Sequence, residues 1–333
     1  MKENYTTFLF YFLIIILIYI FIVRIISLSS DTSQNTIADI SYYQHFSKLD
    51  RNLRKCGDSP VECKKFYLKH MIPLSQEDEK MITQINTDYQ ILLQGKLSPI
   101  FAQIQFIKVK SNIENGMPHT RGKYIVFSEH IFQENLKKFQ ENRKFLLAPE
   151  NLNFVKLIAH EQFHIFQRHN PKLLAQFYTE KWKLVRLTID LPTAIKKLNR
   201  TNPDALPDDN WLFKIQGNSY ILPLCIYNST KSPHINDTSN IYVSVTYENN
   251  KFTFPKLKLE LKNKNLLVNL PEFSDFFGYQ GANNYHPQEI SASLFEEIVS
   301  NSIDRNIHNE SETNNHLENI ESYKLLQEFV FSL

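Results

Sequence analysis

Between Asn151 and Pro171, apolar residues recur at Val155, Ala159, Phe163 and Phe166. This 4-4-3 spacing predicts one helix with a continuous apolar stripe, stopped by Asn170 and Pro171. Upstream, Tyr42 to Leu93 predicts two or three helices divided by Pro60, Pro73 and the acidic run Ser75–Glu79. Alternation in Ala102–Val109 and in Lys123–Phe127 predicts two strands, followed by a Lys- and Gln-rich helix from His130 to Lys144. Downstream, Lys172 to Leu198 has a mostly helical pattern with a break at Pro192, and Thr201–Trp211 is turn-rich. Tyr220–Tyr227 and Asn240–Asn269 are β-rich, with a hairpin across Glu248–Lys251 and strict charged/leucine alternation over Lys256–Lys262. In Tyr285–Ser300, Pro287 suits a first helical turn. Ile290, Leu294, Phe295, Ile298 and Val299 then form an apolar arc, while Glu289, Ser293, Glu296 and Ser300 line the other side. Asn301–Ile320 is polar loop or loose helix, and Ser322–Leu333 a short amphipathic helix.

The amino-terminal end follows a different pattern. Phe8 to Val23 is an unbroken apolar run, and with Arg24 snorkelling the segment Phe8–Leu28 is long enough to cross about 30 Å of hydrocarbon. A cleaved signal peptide is the competing expectation, but the run exceeds the usual length of one. The expected organisation is a transmembrane anchor over residues 1–30, a helical spacer or cap over 31–95, and an α+β body over 96–333 with a β-rich insert at about 220–270. Lys2 precedes the segment and Lys48 and Arg51 lie well beyond it, so the amino terminus is expected in the cytoplasm and the body outside it.

Composition removes several function classes. The formal net charge of +2 with no basic block gives nucleic-acid binding no support, and seven glycines with no phosphate-binding loop argue against nucleotide use. Cys56 and Cys63 enclose the turn-forming GDSPVE and suit a small disulfide loop in an oxidising compartment, leaving Cys225 unpaired. The three aspartates of Thr201–Trp211 fit an ordinary loop better than a calcium site.

The helix from Asn151 to Pro171 also carries the pentad His160, Glu161, Gln162, Phe163, His164. Residues four apart share a helix face, so both imidazoles can address one ion with Glu161 beside them, as in H-E-x-x-H zinc sites. Catalytic zinc takes three protein ligands and lowers the pKa of its water to about 7, and Glu161 is placed to take that water's proton.

A pentad helix followed by Glu289, Ala292 and Phe295, an E-x-x-A-x-x-F helix, resembles the gluzincin branch of the zincin metallopeptidases. The phrases HEQFH, TNPDA and HPQEISA also resemble a set of uncharacterised bacterial membrane-associated zincin-like proteins. The resemblance implies a zincin-like fold whose edge strand pairs with extended substrate. It implies Zn2+ held by His160, His164 and Glu289, with Ala292 letting the two helices approach. Read on its own, Glu289 is a first-turn acid stabilised by its helix dipole, and Glu296 is the other carboxylate within reach. The position four after Glu289 is Ser293 where thermolysin-like proteins have an aspartate, so a carbonyl or Asp204 is the expected support for a ligand histidine. His286, Tyr285, Tyr220 and His119 are candidates to stabilise an oxyanion, with His286 preferred because it directly precedes the ligand helix; His169 is expected at the surface. The expected function is a membrane-tethered zinc metallopeptidase acting on protein or peptide. The alternatives are a non-catalytic binding protein retaining the metal site and a zinc hydrolase of non-peptide amides.

Overall fold

In the computed structural model, which describes residues 16, 33–93, 97, 99–101, 103–204, 210–254, 266–278, 281–308 and 316–333, short polar side chains set where the first helices begin. Asp39 accepts from the Ser41 amide at the start of α1 (Ile40–Gln44). Ser47 and Ser59 form capping boxes with Asp50 and Glu62 ahead of α2 (Lys48–Arg54) and α3 (Pro60–Lys69). The loop entering α3 is closed by the disulfide Cys56–Cys63, as the spacing predicts. Gly57 sits there at φ +104°, and an added Cβ would fall 2.5 Å from Glu62 Cβ, so the turn needs glycine.

Strand β1 (Met71–Ile72) and the long helix α4 (Gln76–Leu93) lead into β2 (Gln105–Val109), β3 (His119–Arg121) and β4 (Tyr124–Ser128). These strands form a sheet in the order β1-β2-β4-β3, with β2 and β4 parallel and the two outer strands antiparallel to their neighbours. Alternation splits the sheet between two cores. Phe106, Ile125 and Phe127 face the large one, while Ile107, Val109, Tyr124 and Val126 face a small one completed by Tyr43, Phe46 and Tyr67. Helix α4 belongs to the large core through Met81, Ile85, Tyr89 and Leu92. In packing terms, the cap is therefore α1 to α3, and α4 is part of the body.

Helices α5 (Glu129–Glu141), α6 (Leu152–His169) and α7 (Pro171–Glu180) follow. The helical pattern expected through Leu198 then gives way to β5 (Val185–Arg186) and the single turn α8 (Thr193–Lys196). Strands β6 (Trp211–Gln216), β7 (Ser219–Tyr227), β8 (Thr238–Glu248) and β9 (Lys251–Thr253) join β5 in an all-antiparallel sheet, β5-β6-β7-β8-β9. The sheet begins earlier than the β-rich stretch legible in the sequence, and β7 is buried on both faces over its second half. Its hairpin turns where expected, with Asn249 and Asn250 both left-handed. The alternating stretch Lys256–Lys262 lies outside the described residues. Helices α9 (Pro271–Phe277), α10 (Pro287–His308) and α11 (Glu321–Phe331) complete a mixed α+β body, α10 continuing past Ser300 into the segment expected to be loop or loose helix. Phe8–Leu28, apart from Ile16, also lies outside the described residues, and among those described no helix is long and apolar enough to cross a membrane.

The cap and the second sheet meet at a buried ionic cluster. Arg54 donates to Asp50 Oδ1 at 2.8 Å, to Glu114 Oε1 at 2.9 Å and to the Thr201 carbonyl at 2.9 Å. Tyr227, at the end of β7, donates to Asp50 Oδ1 at 2.9 Å, and Tyr67 donates to Glu114. Burial alone would raise the Glu114 pKa, but the Arg54 guanidinium, His119 and the bonds from Tyr67 and Arg54 together outweigh it and hold the carboxyl at about 2. A folded-state pKa below the ordinary 4.5 stabilises the fold fully above that pH, and the contribution is lost as pH falls from there through about 2. Glu114→Gln should therefore cost on the order of 3 kcal/mol at pH 7 in urea unfolding. The gap to the natural chain should close progressively between those two pH values; a gap independent of pH would contradict the assignment.

Candidate metal centre

Helix α6 is buried on nearly every side, and Val155, Ala159, Phe163 and Phe166 all lie in the core as their spacing predicts. Its partner is α10, whose first turn is set by Pro287 and contains Glu289. Between them, Phe163 and Phe295 stack with centroids 4.5 Å apart and planes 21° from parallel, and Phe101 covers the other face of Phe295 at 5.8 Å. Ala159 and Ala292 are fully buried and add no bulk at the crossing. Lys156 closes its outer side with two 2.8 Å bonds to Glu297.

This packing brings His160, His164 and Glu289 together, with one ligating atom from each lying within 4.8 Å of the others. His160 Nε2 and His164 Nε2 are 3.1 Å apart, and the Glu289 oxygens lie 3.4 Å from His164 Nε2 and 3.6 Å from His160 Nε2. Ligands at roughly 2.0–2.1 Å from a tetrahedral ion are separated by roughly 3.3 Å, so the three edges match a site of that size. Two imidazole nitrogens and a carboxylate turned on one point also favour positive charge between them, as a proton or as a cation. Burial disfavours a charged His164, yet Glu289 beside it raises its pKa to about 10; reciprocally, Glu289 is held well below the usual carboxylate range by the imidazoles despite its own burial. The cluster could hold a metal ion.

The groups that orient these ligands differ from those the sequence points to. His164 Nδ1 donates to Gln167 Oε1 at 2.9 Å, which leaves Nε2 as the lone-pair nitrogen facing the cluster. The Gln167 amide nitrogen in turn donates to the Gln288 carbonyl and to Ser291 Oγ, both at 2.9 Å, so one side chain orients the histidine and ties α6 to α10. The signal was local, three residues beyond His164 on the same helix. His160 Nδ1 faces Glu296 Oε2 at 3.8 Å, two turns after Glu289, and burial raises the Glu296 pKa to about 6. Ser293 instead accepts from Asn283 at 2.9 Å. Asn202 donates to Glu289 Oε1 at 2.5 Å, and its own Oδ1 accepts from the Asp204 amide at 2.9 Å. The TNPDA loop thus supports the carboxylate ligand rather than a histidine.

Glu161 is buried beside the cluster, and its Oε2 has no hydrogen-bond partner. Burial, and then the nearby Asp204 carboxylate, push its pKa well above the ordinary range. His160, Glu161, Glu289 and Glu296 line a cleft of about 690 Å3, walled by Met117 and Pro118, the 200–204 loop, Thr238–Asn240 of β8 and Tyr285. Of the oxyanion candidates, Tyr285 lines this cleft, whereas His286 lines a neighbouring cavity and its Nδ1 accepts from the Gln288 amide at 3.2 Å. His119 is fully buried, donating to the Met117 carbonyl at 3.2 Å, and Tyr220 packs on Phe252 in the second sheet. His169 is exposed.

The outer edge of β3 leads from the cleft wall at Pro118 into the neighbouring cavity, which Thr120, Arg121 and Gly122 line, and is already engaged. The Thr120 amide donates to Asp204 Oδ1 at 2.6 Å, the Gly122 carbonyl accepts from Arg168 at 2.9 Å, and Pro118 has no N–H. An extended peptide pairing there, as the resemblance implies, would have to displace the Asp204 contact.

Replacing Gln167 by leucine should weaken divalent-metal binding about 10–100-fold in competition with a chelator, with helix content unchanged. Unaltered affinity would show that Gln167 does not position His164. Compared with protein-family models, curated proteins and solved structures, the chain matches none, so its assignment rests on the cluster and cleft themselves.

Proposed function

We propose that the protein is a zinc-dependent metallopeptidase of gluzincin type. The observation that carries this reading is the convergence of His160, His164 and Glu289 at tetrahedral spacing, with the unpartnered Glu161 carboxyl in the same cleft. The donor set of two imidazoles and one carboxylate suits Zn2+ and leaves a coordination position open to water. Zinc bound there would supply Lewis acidity to that water and to a peptide carbonyl.

Glu161 takes the proton of the attacking water and returns it to the leaving amine. Gln167 holds His164 in the tautomer this requires, Glu296 faces His160 Nδ1 from 3.8 Å, and Asn202 fixes the Glu289 carboxylate. Tyr285, at the cleft wall, is better placed than His286 to donate to the oxygen of a tetrahedral intermediate. A purely structural site would need the three ligands but not a further buried carboxyl with an unused oxygen.

The same reading places the body outside the cytoplasm, tethered by Phe8–Leu28, and the Cys56–Cys63 disulfide suits that compartment. The experiment is zinc content and peptide hydrolysis of the full chain in detergent. The natural chain and Glu161→Gln should each hold about one zinc, Glu289→Ala should bind it about 10-fold or more weakly, and Glu161→Gln should lose about 10²–10⁴-fold in turnover. Equal cleavage by Glu161→Gln, or folded natural protein that takes up no zinc, would refute the reading.

A further inference from the structure

Among its described lining, the cleft holds five carboxylates, Glu114, Glu161, Asp204, Glu289 and Glu296, and a single guanidinium, Arg200. The acids are mostly engaged. Arg54 and Tyr67 bind Glu114, Thr120 binds Asp204, Asn202 binds Glu289, and Glu296 faces His160.

Arg200 is not matched in this way. Its backbone amide donates to the Cys225 carbonyl at 3.0 Å, which anchors the stem against β7. Its Nη2 reaches Met117 Sδ at 3.9 Å, its side chain also bonds the Cys225 thiol, its Nε is buried with no acceptor, and among the described residues it forms no ion pair. A guanidinium has five donors, and a thioether is too weak an acceptor to replace the water they lose. The residue as a whole is half-buried and lines both this cleft and the neighbouring cavity that holds His286. Tyr285 and Cys225 each lie within electrostatic reach of both Arg200 and Glu289, so guanidinium and triad share one compartment.

We propose that Arg200 is the specificity-determining anchor of the cleft and binds a carboxylate of the substrate, selecting peptides with a negative charge close to the bond presented to the triad. This inference rests on the hydrolase reading. A planar, forked donor held beside a ligand cluster suits bidentate capture of a carboxylate, which fixes the direction of a peptide as well as its position. The cleft volume of about 690 Å3 is that of a site for a short peptide, and Arg200 supplies a cationic end to an otherwise acidic wall. The carboxylate can come from a chain terminus or from an acidic side chain.

The test is binding of three peptide hydroxamates to the zinc-loaded full chain: one with a free terminal carboxylate, its terminal amide, and an amidated form carrying an internal aspartate. One acidic probe should bind about 10-fold or more tightly than the neutral amide. Which one does so identifies the source of the charge. In Arg200→Met, whose apolar stem keeps the Met117 and Cys225 packing, that preference should fall to about twofold or less while zinc content and affinity for the neutral probe stay unchanged. Arg200→Lys should recover part of it. Equal binding of all three probes by the natural chain, or a preference that persists in Arg200→Met, overturns the proposal. A chain that takes up no zinc and binds none of the probes removes the hydrolase reading, and the anchor with it.

Discussion

Because His160 and His164 belong to α6 and Glu289 to α10, their ligating atoms meet only if the two helices cross at a spacing fixed by what lies between them. The stacked rings of Phe163 and Phe295 and the small Ala159 and Ala292 set that spacing. A larger side chain at either alanine would separate the helices by more than the tolerance of a metal site, and loss of either ring would leave a cavity worth about 3–5 kcal/mol. Gln167 adds a polar link across the same seam. The remaining elements share the same core around this crossing: α4, the first sheet, α7, α9 and α11.

The interior tolerates an unusual amount of charge around that crossing, and it does so in two different ways. In the Arg54 cluster the charges are paired within the protein, apart from the buried Glu114 Oε2, and the pairing joins α2, the Glu114 turn, Thr201 and β7 into one unit. In the cleft the positive charge beside Glu289 rests on the His164 imidazole, whose pKa Glu289 raises, and a metal ion could take its place. The first arrangement specifies structure. The second leaves the cluster dependent on what it binds. Thr201 and Asn202 are adjacent in sequence and serve one arrangement each, so the ionic cluster fixes the position of the loop that supports Glu289.

The sequence makes legible what is local. The i, i+4 histidines, the apolar stripe behind them, the hairpin at Asn249–Asn250 and the E-x-x-A-x-x-F helix all express short-range periodicity. Gln167 was equally local, but a polar residue late in a helix has no distinguishing pattern until its partners on α10 are known. Asn202, Asp204 and Arg200 arrive on a loop between α8 and β6, and nothing in their spacing indicates that it folds back onto α6. Strand β6 follows a run of aspartates and shows little alternation, because its first residues are buried on both faces. Helix α4 has a clear amphipathic pattern, but periodicity reveals that a face is buried and not which side of the sheet buries it.

The engaged edge of β3 has a consequence for the protein in company with others. A free edge strand offers unpaired donors and acceptors on which another chain can extend the sheet. Here Pro118 lacks a donor, the Thr120 amide is held by Asp204 and the Gly122 carbonyl by Arg168. The same loop that braces Glu289 therefore also keeps this sheet from growing into its neighbours. A change that loosens residues 201–204 would be felt as aggregation as well as a weaker hold on Glu289.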